Sequence, residues 1–149
     1  MDKRFRACVA IIDGDKILLV KGNPSKFVSK HWMLPGGGLV AYESVTQGAA
    51  REAREETGFH VAIEKLLYIR HCHSLFYKTT AVEFYFLARI IDGKLELADP
   101  DGDITQAKWL SIAGIADADL KPESLRDVLP QDFADGFARN PRDLGWGEY

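Results

Sequence analysis

The stretch ESVTQGAAREAREETGF, residues 43–59, decides how this chain is read. Ser44-Val45-Thr46-Gln47 has the form of a capping box, in which a serine hydroxyl and a glutamine side chain each satisfy a free backbone N–H at a helix start. Gly58 supplies the stop. A helix over residues 45–57 is therefore predicted, and at about 100° per residue its sides separate cleanly. Thr46, Ala49, Ala50, Ala53 and Thr57 form a small-residue side able to lie close on a sheet. Glu52, Glu55, Glu56 and Gly48 form an adjoining strip, with Arg51 and Arg54 beyond it.

That strip is locally unfavourable. Carboxylates in the last turns of a helix cost about 0.3–1 kcal/mol each against the helix dipole, and like charges three or four residues apart add a few tenths more. Gly48 costs about another 1 kcal/mol relative to Ala, which makes sense where something approaches closely. A divalent cation would turn the repulsion into attraction, and an all-oxygen cluster suits Mg2+, with Mn2+ as a substitute. The competing reading is a solvated acidic helix face.

Upstream lies LPGGGLVAYE, residues 34–43, with Gly36, Gly37 and Gly38 in a row. Three glycines let the backbone take positive φ and bring its carbonyl and N–H groups close to an ion or phosphate. A plain turn rarely needs three.

Further out, Asp13-Gly14 between ACVAII and KILLV and Asp92-Gly93 between VEFYFLARII and KLELA both read as hairpin turns. Residues 61–77, rich in β-branched and aromatic side chains, predict a long strand, and AKWLSI one more. After Pro122, Leu125, Val128, Leu129, Phe133 and Phe137 recur at helical spacing around Pro130, predicting two short helices or one kinked helix. The order β-β-α-β-β-β-α points to an α/β domain over residues 1–149, with a mixed, partly antiparallel sheet and helices on its faces.

The chain has 149 residues, 46% hydrophobic and 28% charged, enough for one domain with a sizeable core. A net charge of -3 argues against nucleic acid or an anionic membrane as partner, since both need clustered positive charge. Cys8 and Cys72 lack metal-ligand spacing and read as buried reduced thiols, which fits a cytoplasmic setting. The apolar run near the N-terminus is too brief for a signal sequence or a membrane span. The tail NPRDLGWGEY offers Trp146 and Tyr149 for docking on this chain or on a second copy in a homodimer.

From Gly37, five residues lead to Glu43, seven more lead to Arg51-Glu52, and Ala53-Arg54-Glu55-Glu56-Thr57-Gly58-Phe59 follows. This resembles the Nudix box, GX5EX7REUXEEXGU with U a bulky aliphatic, at every fixed position; Ala53 and Phe59 stand at U positions, which touches packing only. The resemblance covers Gly37 to Phe59 and implies the Nudix α/β/α sandwich and hydrolysis of a nucleoside diphosphate linked to a group X. It implies that Glu52, Glu55 and Glu56, with the Gly36 carbonyl, hold the metal, and that Arg51 and Glu43 fix the loop against the helix. The general base is implied either on the box helix, as Glu52, or on the later loop ADPDGD, as Asp103. A non-catalytic Nudix-fold module that binds a nucleotide and regulates a partner is the alternative, though such modules lose glutamates that are intact here.

Substrate contacts are sparser. Lys21, Lys26 and Lys30 precede the glycine loop and could steer a polyphosphate or simply be a solvated loop. Phe27, His31, Trp32 and Tyr77 could stack on a base or pack in the core. Tyr77 lies eighteen residues past Phe59, resembling a tyrosine that marks dinucleoside polyphosphate hydrolases, and the proline that marks many ADP-ribose hydrolases is missing near Leu75.

Overall fold

A computed structural model describes residues 2–26, 30–75 and 78–148. The elements are β1 (Asp2–Asp13), β2 (Lys16–Gly22), β3 (Trp32–Met33), β4 (Gly36–Gly38), α1 (Val45–Thr57), β5 (Phe59–Ser74), β6 (Thr79–Gly93), β7 (Ile104–Ser111), a 3-10 turn (Ile112–Asp117), α2 (Glu123–Ala134) and β8 (Arg142–Glu148). The sheet is mixed, as expected. β1 runs parallel to β6 and β5 parallel to β8, whereas β1 with β4 and β5 with β6 are antiparallel. β2, at the far end of β1, carries β3 and β7 antiparallel on its two edges.

Alternation along β1 divides the core. Ala7, Val9 and Ile11 face α1 and meet Ala49, Ala53, Phe86 and Ala88, all buried. Cys8 and Ala10 face the other way, into a cluster with Leu67, Tyr85, Ile112, Ile115, Leu125 and Leu129. Buried on both faces, the strand reads as a continuous apolar run. Burying a leucine such as Leu125 fully contributes about 1.5–3 kcal/mol, so α2 is held by its apolar stripe despite Pro130. Helices on both faces make the expected α/β/α sandwich.

Two expectations need correction, and two alternatives left open are decided. α2 is one helix around Pro130, and Phe137 lies past its end at φ 59°. The first hairpin forms, but Asp13 pairs with Lys16, so its central residues are Gly14 and Asp15. Only Gly14 there has positive φ (63°), which excludes the type I′ turn. The second hairpin does not form. Gly93 is the last residue of β6 and pairs with Phe59 of β5. Both edges of β6 are already taken, by β1 and β5, so KLELA has no edge to occupy. The chain passes α1 instead, the Glu96 N–H donating to the Thr57 carbonyl at 2.8 Å. Finally, the tail docks on this chain, one of the two outcomes expected of it, and does so as a strand, β8, on the free edge of β5.

Candidate active site

α1 begins and ends as its sequence requires. Ser44 Oγ accepts from the Gln47 N–H at 3.2 Å, and Gln47 Oε1 accepts from the Ser44 N–H at 2.9 Å. Gly58 closes the helix at φ 82°, its N–H donating to the Arg54 carbonyl. Ala49, Ala53 and Thr57 are buried against the sheet, and the acidic strip turns to a cleft of about 1300 Å³ between α1, β4 and the open face of β1 and β6.

None of Gly36, Gly37 and Gly38 has positive φ, contrary to expectation. They form β4, paired with Arg6, Ala7 and Cys8 of β1. Their need for glycine is close approach. A Cβ on Gly36 would lie 2.6 Å from the Ala7 carbonyl oxygen, and one on Gly37 2.5 Å from Glu52 Oε1. Gly48 answers likewise to Leu39 and Glu43, a Cβ there lying 2.4 Å from Leu39 Cδ2.

Arg51 organises the helix side. Its Nε and Nη2 donate to Glu43 at 2.7 and 3.0 Å, a two-pronged pair. Nη1 donates to Glu52 Oε1 and Glu55 Oε2, both at 3.1 Å, and Nη2 also reaches the Gly38 carbonyl at 3.1 Å. The guanidinium holds the Glu43 carboxyl below the usual carboxylate range. Glu56 is different. It is 6% exposed and accepts one N–H, from Gly36, at 3.1 Å. Burial, and then the nearby Glu52, push its carboxyl well above the usual range. Burial also raises Glu52, opposed by Arg51.

Among the described residues, no three acidic, histidine or cysteine side chains converge as a ready-made metal cluster. Arg51 instead bridges Glu52 and Glu55. The donor set nevertheless fits a hard divalent cation: every side-chain donor is a carboxylate oxygen, and burial raises the pKa of both Glu56, which is buried, and Glu52, which is part-buried, beside one another.

The remaining candidates divide. Asp103 lines the cleft, its carboxylate taking Lys26 Nζ at 3.2 Å and its N–H donating to Asp99 at 3.1 Å. Lys30 also lines the cleft. Trp32 lies beneath Lys21 and Lys108, whose Nζ atoms are 5.2 and 4.4 Å from its ring centre, and neither Lys21 nor Trp32 borders the cleft. Phe27 and Tyr77 lie outside the described residues. His71 and His73 flank Trp146, with ring centres 5.2 and 6.4 Å away. Cys8 and Cys72 are free and buried, as expected.

Sequence reading missed a second charged group in the cleft. Glu83 accepts from Arg6 Nε at 3.2 Å, Arg70 Nη1 at 2.7 Å and the Tyr85 hydroxyl at 3.0 Å. The available signal was a charge bordering or interrupting an apolar run in each strand: Arg6 before ACVAII, Arg70 in LLYIRHC and Glu83 in AVEFYF.

Known proteins resemble this architecture. The chain is 32% identical over 81 residues to Nudix hydrolase 6 of Arabidopsis thaliana, covering 54% of this chain and 28% of that protein. It is 29% identical over 102 residues to an 8-oxo-dGDP phosphatase of Homo sapiens, covering 68% and 30%. The chain spans about a third of the length of the curated relatives it matches. A solved NUDIX hydrolase from Nitrosomonas europaea superposes with a TM-score of 0.72 at 27% identity, covering 91% of this chain and 90% of that one. The family model for the NUDIX domain matches residues 2–131, which take in α1, β4 and the whole cleft-facing sheet except β8, and the chain belongs to that family.

Proposed function

We propose that this chain is a divalent-metal-dependent hydrolase that cleaves the diphosphate linkage of a nucleoside diphosphate joined to a further group X. The observation that carries the reading is a pair of carboxylates on one helix face, Glu56 buried and Glu52 part-buried, lining a nucleotide-sized cleft. There Arg51 is the one basic side chain among the described residues hydrogen-bonded to Glu52, and the Gly36 N–H bonds Glu56. Mg2+, with Mn2+ as substitute, is the ion assigned. Glu52, Glu55, Glu56 and the Gly36 carbonyl would hold it. When bound, such an ion neutralises diphosphate charge and acidifies water.

The chain's own residues do the rest. Arg51 and Glu43 lock the loop before α1 to the helix, so the carboxylates are positioned before substrate arrives. Glu52, on the cleft with Arg51 as its hydrogen-bonded neighbour, is assigned the proton of the attacking water. Asp103 is less suited, because Lys26 engages its carboxylate. The same reading treats residues 1–149 as one domain at work in the cytoplasm; no described helix is long and apolar enough to cross a membrane.

A panel of ADP-ribose, dinucleoside polyphosphates, nucleoside triphosphates and nucleotide sugars, assayed with Mg2+ and with Mn2+, tests it. Diphosphate cleavage abolished by chelator is expected. Undiminished cleavage in excess chelator would sink the reading, and nucleotide binding without turnover would favour a regulatory module.

A further inference from the structure

Arg4 and Arg6 continue, beyond the core, the face of β1 that carries Cys8 and Ala10. Both line the cleft. In β6, Glu83 stands opposite Arg6, and in β5, Arg70 stands opposite Glu83, so three adjacent strands set Arg6, Glu83 and Arg70 in a row across the sheet. One carboxylate is thus shared by two guanidinium groups.

Arg70 alone would satisfy Glu83, since both are buried and Arg70 makes the shorter contact, 2.7 Å against 3.2 Å. Arg6 is the surplus partner. It spends only its Nε on Glu83, and its two terminal amino groups make no hydrogen bond among the described residues. Its side chain is 30% exposed, so these groups meet the cleft. Arg6 pairs with Gly38 of β4, next to Gly37, which closely approaches Glu52, and Arg6 lines the same cleft as Glu52, Glu55 and Glu56. Neither amino group is buried without a partner, so both stand open to the cleft and can pass from water to a ligand without breaking a contact within the chain. A planar pair of N–H groups matches the oxygens of a phosphate. Lys26 offers no rival seat, being tied to Asp103 and to the Asp101 carbonyl.

We infer that Arg6, backed by Glu83 and Arg70 and flanked by Arg4, seats a phosphate lying beyond the scissile diphosphate, so that the substrate is a polyphosphate and not ADP-ribose or a nucleotide sugar. The inference rests on the hydrolase reading above. Glu83, Arg70 and Tyr85 act as positioning residues, and Arg6 determines specificity.

Calorimetric titration with inorganic pyrophosphate and inorganic tripolyphosphate, in Mg2+, tests the seat without requiring turnover. The wild type is expected to bind tripolyphosphate at least tenfold more tightly than pyrophosphate. Arg6→Gln is expected to remove that preference while changing pyrophosphate affinity less than threefold, and Arg6→Lys to keep part of it. Arg4→Gln, at an exposed position that cannot disturb the fold, is expected to lower the preference about threefold. In turnover of a nucleoside triphosphate, Arg6→Gln should raise KM and spare kcat, whereas a purely structural role would lower melting temperature and kcat together. Equal affinities in the wild type, or a preference untouched by both Arg6→Gln and Arg4→Gln, would overturn the inference. Diphosphate hydrolysis that vanishes for every substrate would instead overturn the hydrolase reading, whatever the titrations give.

Discussion

The cleft has two walls built from the same chemistry in opposite proportion. On α1, one arginine, Arg51, serves three carboxylates, Glu43, Glu52 and Glu55. Across on the sheet, one carboxylate, Glu83, serves two arginines, Arg6 and Arg70. The first cluster is acid-rich and the second base-rich, so each is completed by a ligand of opposite sign. A divalent cation on the acid wall and a phosphate on the base wall would satisfy both at once. On the proposed reading, a protein with a net charge of -3 would hold a polyphosphate by separating its charges within one cleft, with no need of a basic surface.

The most direct way to break this comparison is to neutralise the acid wall. Glu55→Gln and Glu56→Gln are each expected to lower kcat by about a thousandfold or more with the fold retained, the loss usual for a carboxylate that acts with a metal. Glu56→Gln carries an additional signature. Its carboxylate is buried beside Glu52 with a raised pKa, so ionising it opposes folding, and Glu56→Gln should raise the melting temperature in chelator by more as pH rises. Mg2+ should then stabilise the wild type more than the variant. Normal turnover in either variant would refute the assignment of these side chains.

Arg51→Lys comes next. Lysine keeps the charge but cannot span Glu43 with two donors while reaching Glu52, Glu55 and the Gly38 carbonyl. A loss of roughly a hundredfold in kcat is expected, with about 1–2 kcal/mol of stability by denaturant titration. If kcat held while stability fell, Arg51 would be a fold element and the acid wall would position itself.

Much of the acid wall was legible because its members are close in sequence. Glu43 and Arg51 are eight residues apart, and their spacing, the cap and the stop are local features. The base wall was illegible for the converse reason. Arg6 and Glu83 are separated by 77 residues, and nothing local to either reports which strands become neighbours. Edge occupancy explains how the two Gly-bearing segments beyond the site ended up. Asp92-Gly93 has hairpin chemistry, yet no free edge awaited the chain after it. NPRDLGWGEY has the composition of a tail, yet β5 had an edge to offer, and Gly147 lets β8 lie there because a Cβ would come within 2.6 Å of Arg70 Nη2.

The glycines of β4 sharpen the contrast between fold and site at adjacent positions. A Cβ on Gly37 meets Glu52, the movable end of a side chain, so Gly37→Ala should displace that carboxylate and lower kcat about tenfold with little change in melting. A Cβ on Gly36 meets the Ala7 carbonyl and the Cys8 backbone, which cannot move cheaply, so Gly36→Ala should cost about 1–3 kcal/mol of stability. Both variants measured for kcat and for denaturant midpoint give four values, and the pattern would fail if Gly37→Ala were the less stable of the two.

Trp146 defines the small end of the scale. It is 67% exposed, with its ring stacked on His71 at 5.2 Å and 30°. Because much of that ring stays in water on folding, Trp146→Ala should cost no more than about 0.5 kcal/mol, the low end for an aromatic pair, and leave kcat/KM within twofold. The residue lies one position from Gly147, which packs on Arg70, so the same variant tests whether β8 supports the base wall. A tripolyphosphate affinity that falls along with the denaturant midpoint would show that the strand holds Arg70 in place. An unchanged affinity would confine the positioning of Arg6 to the three strands that carry Arg6, Glu83 and Arg70.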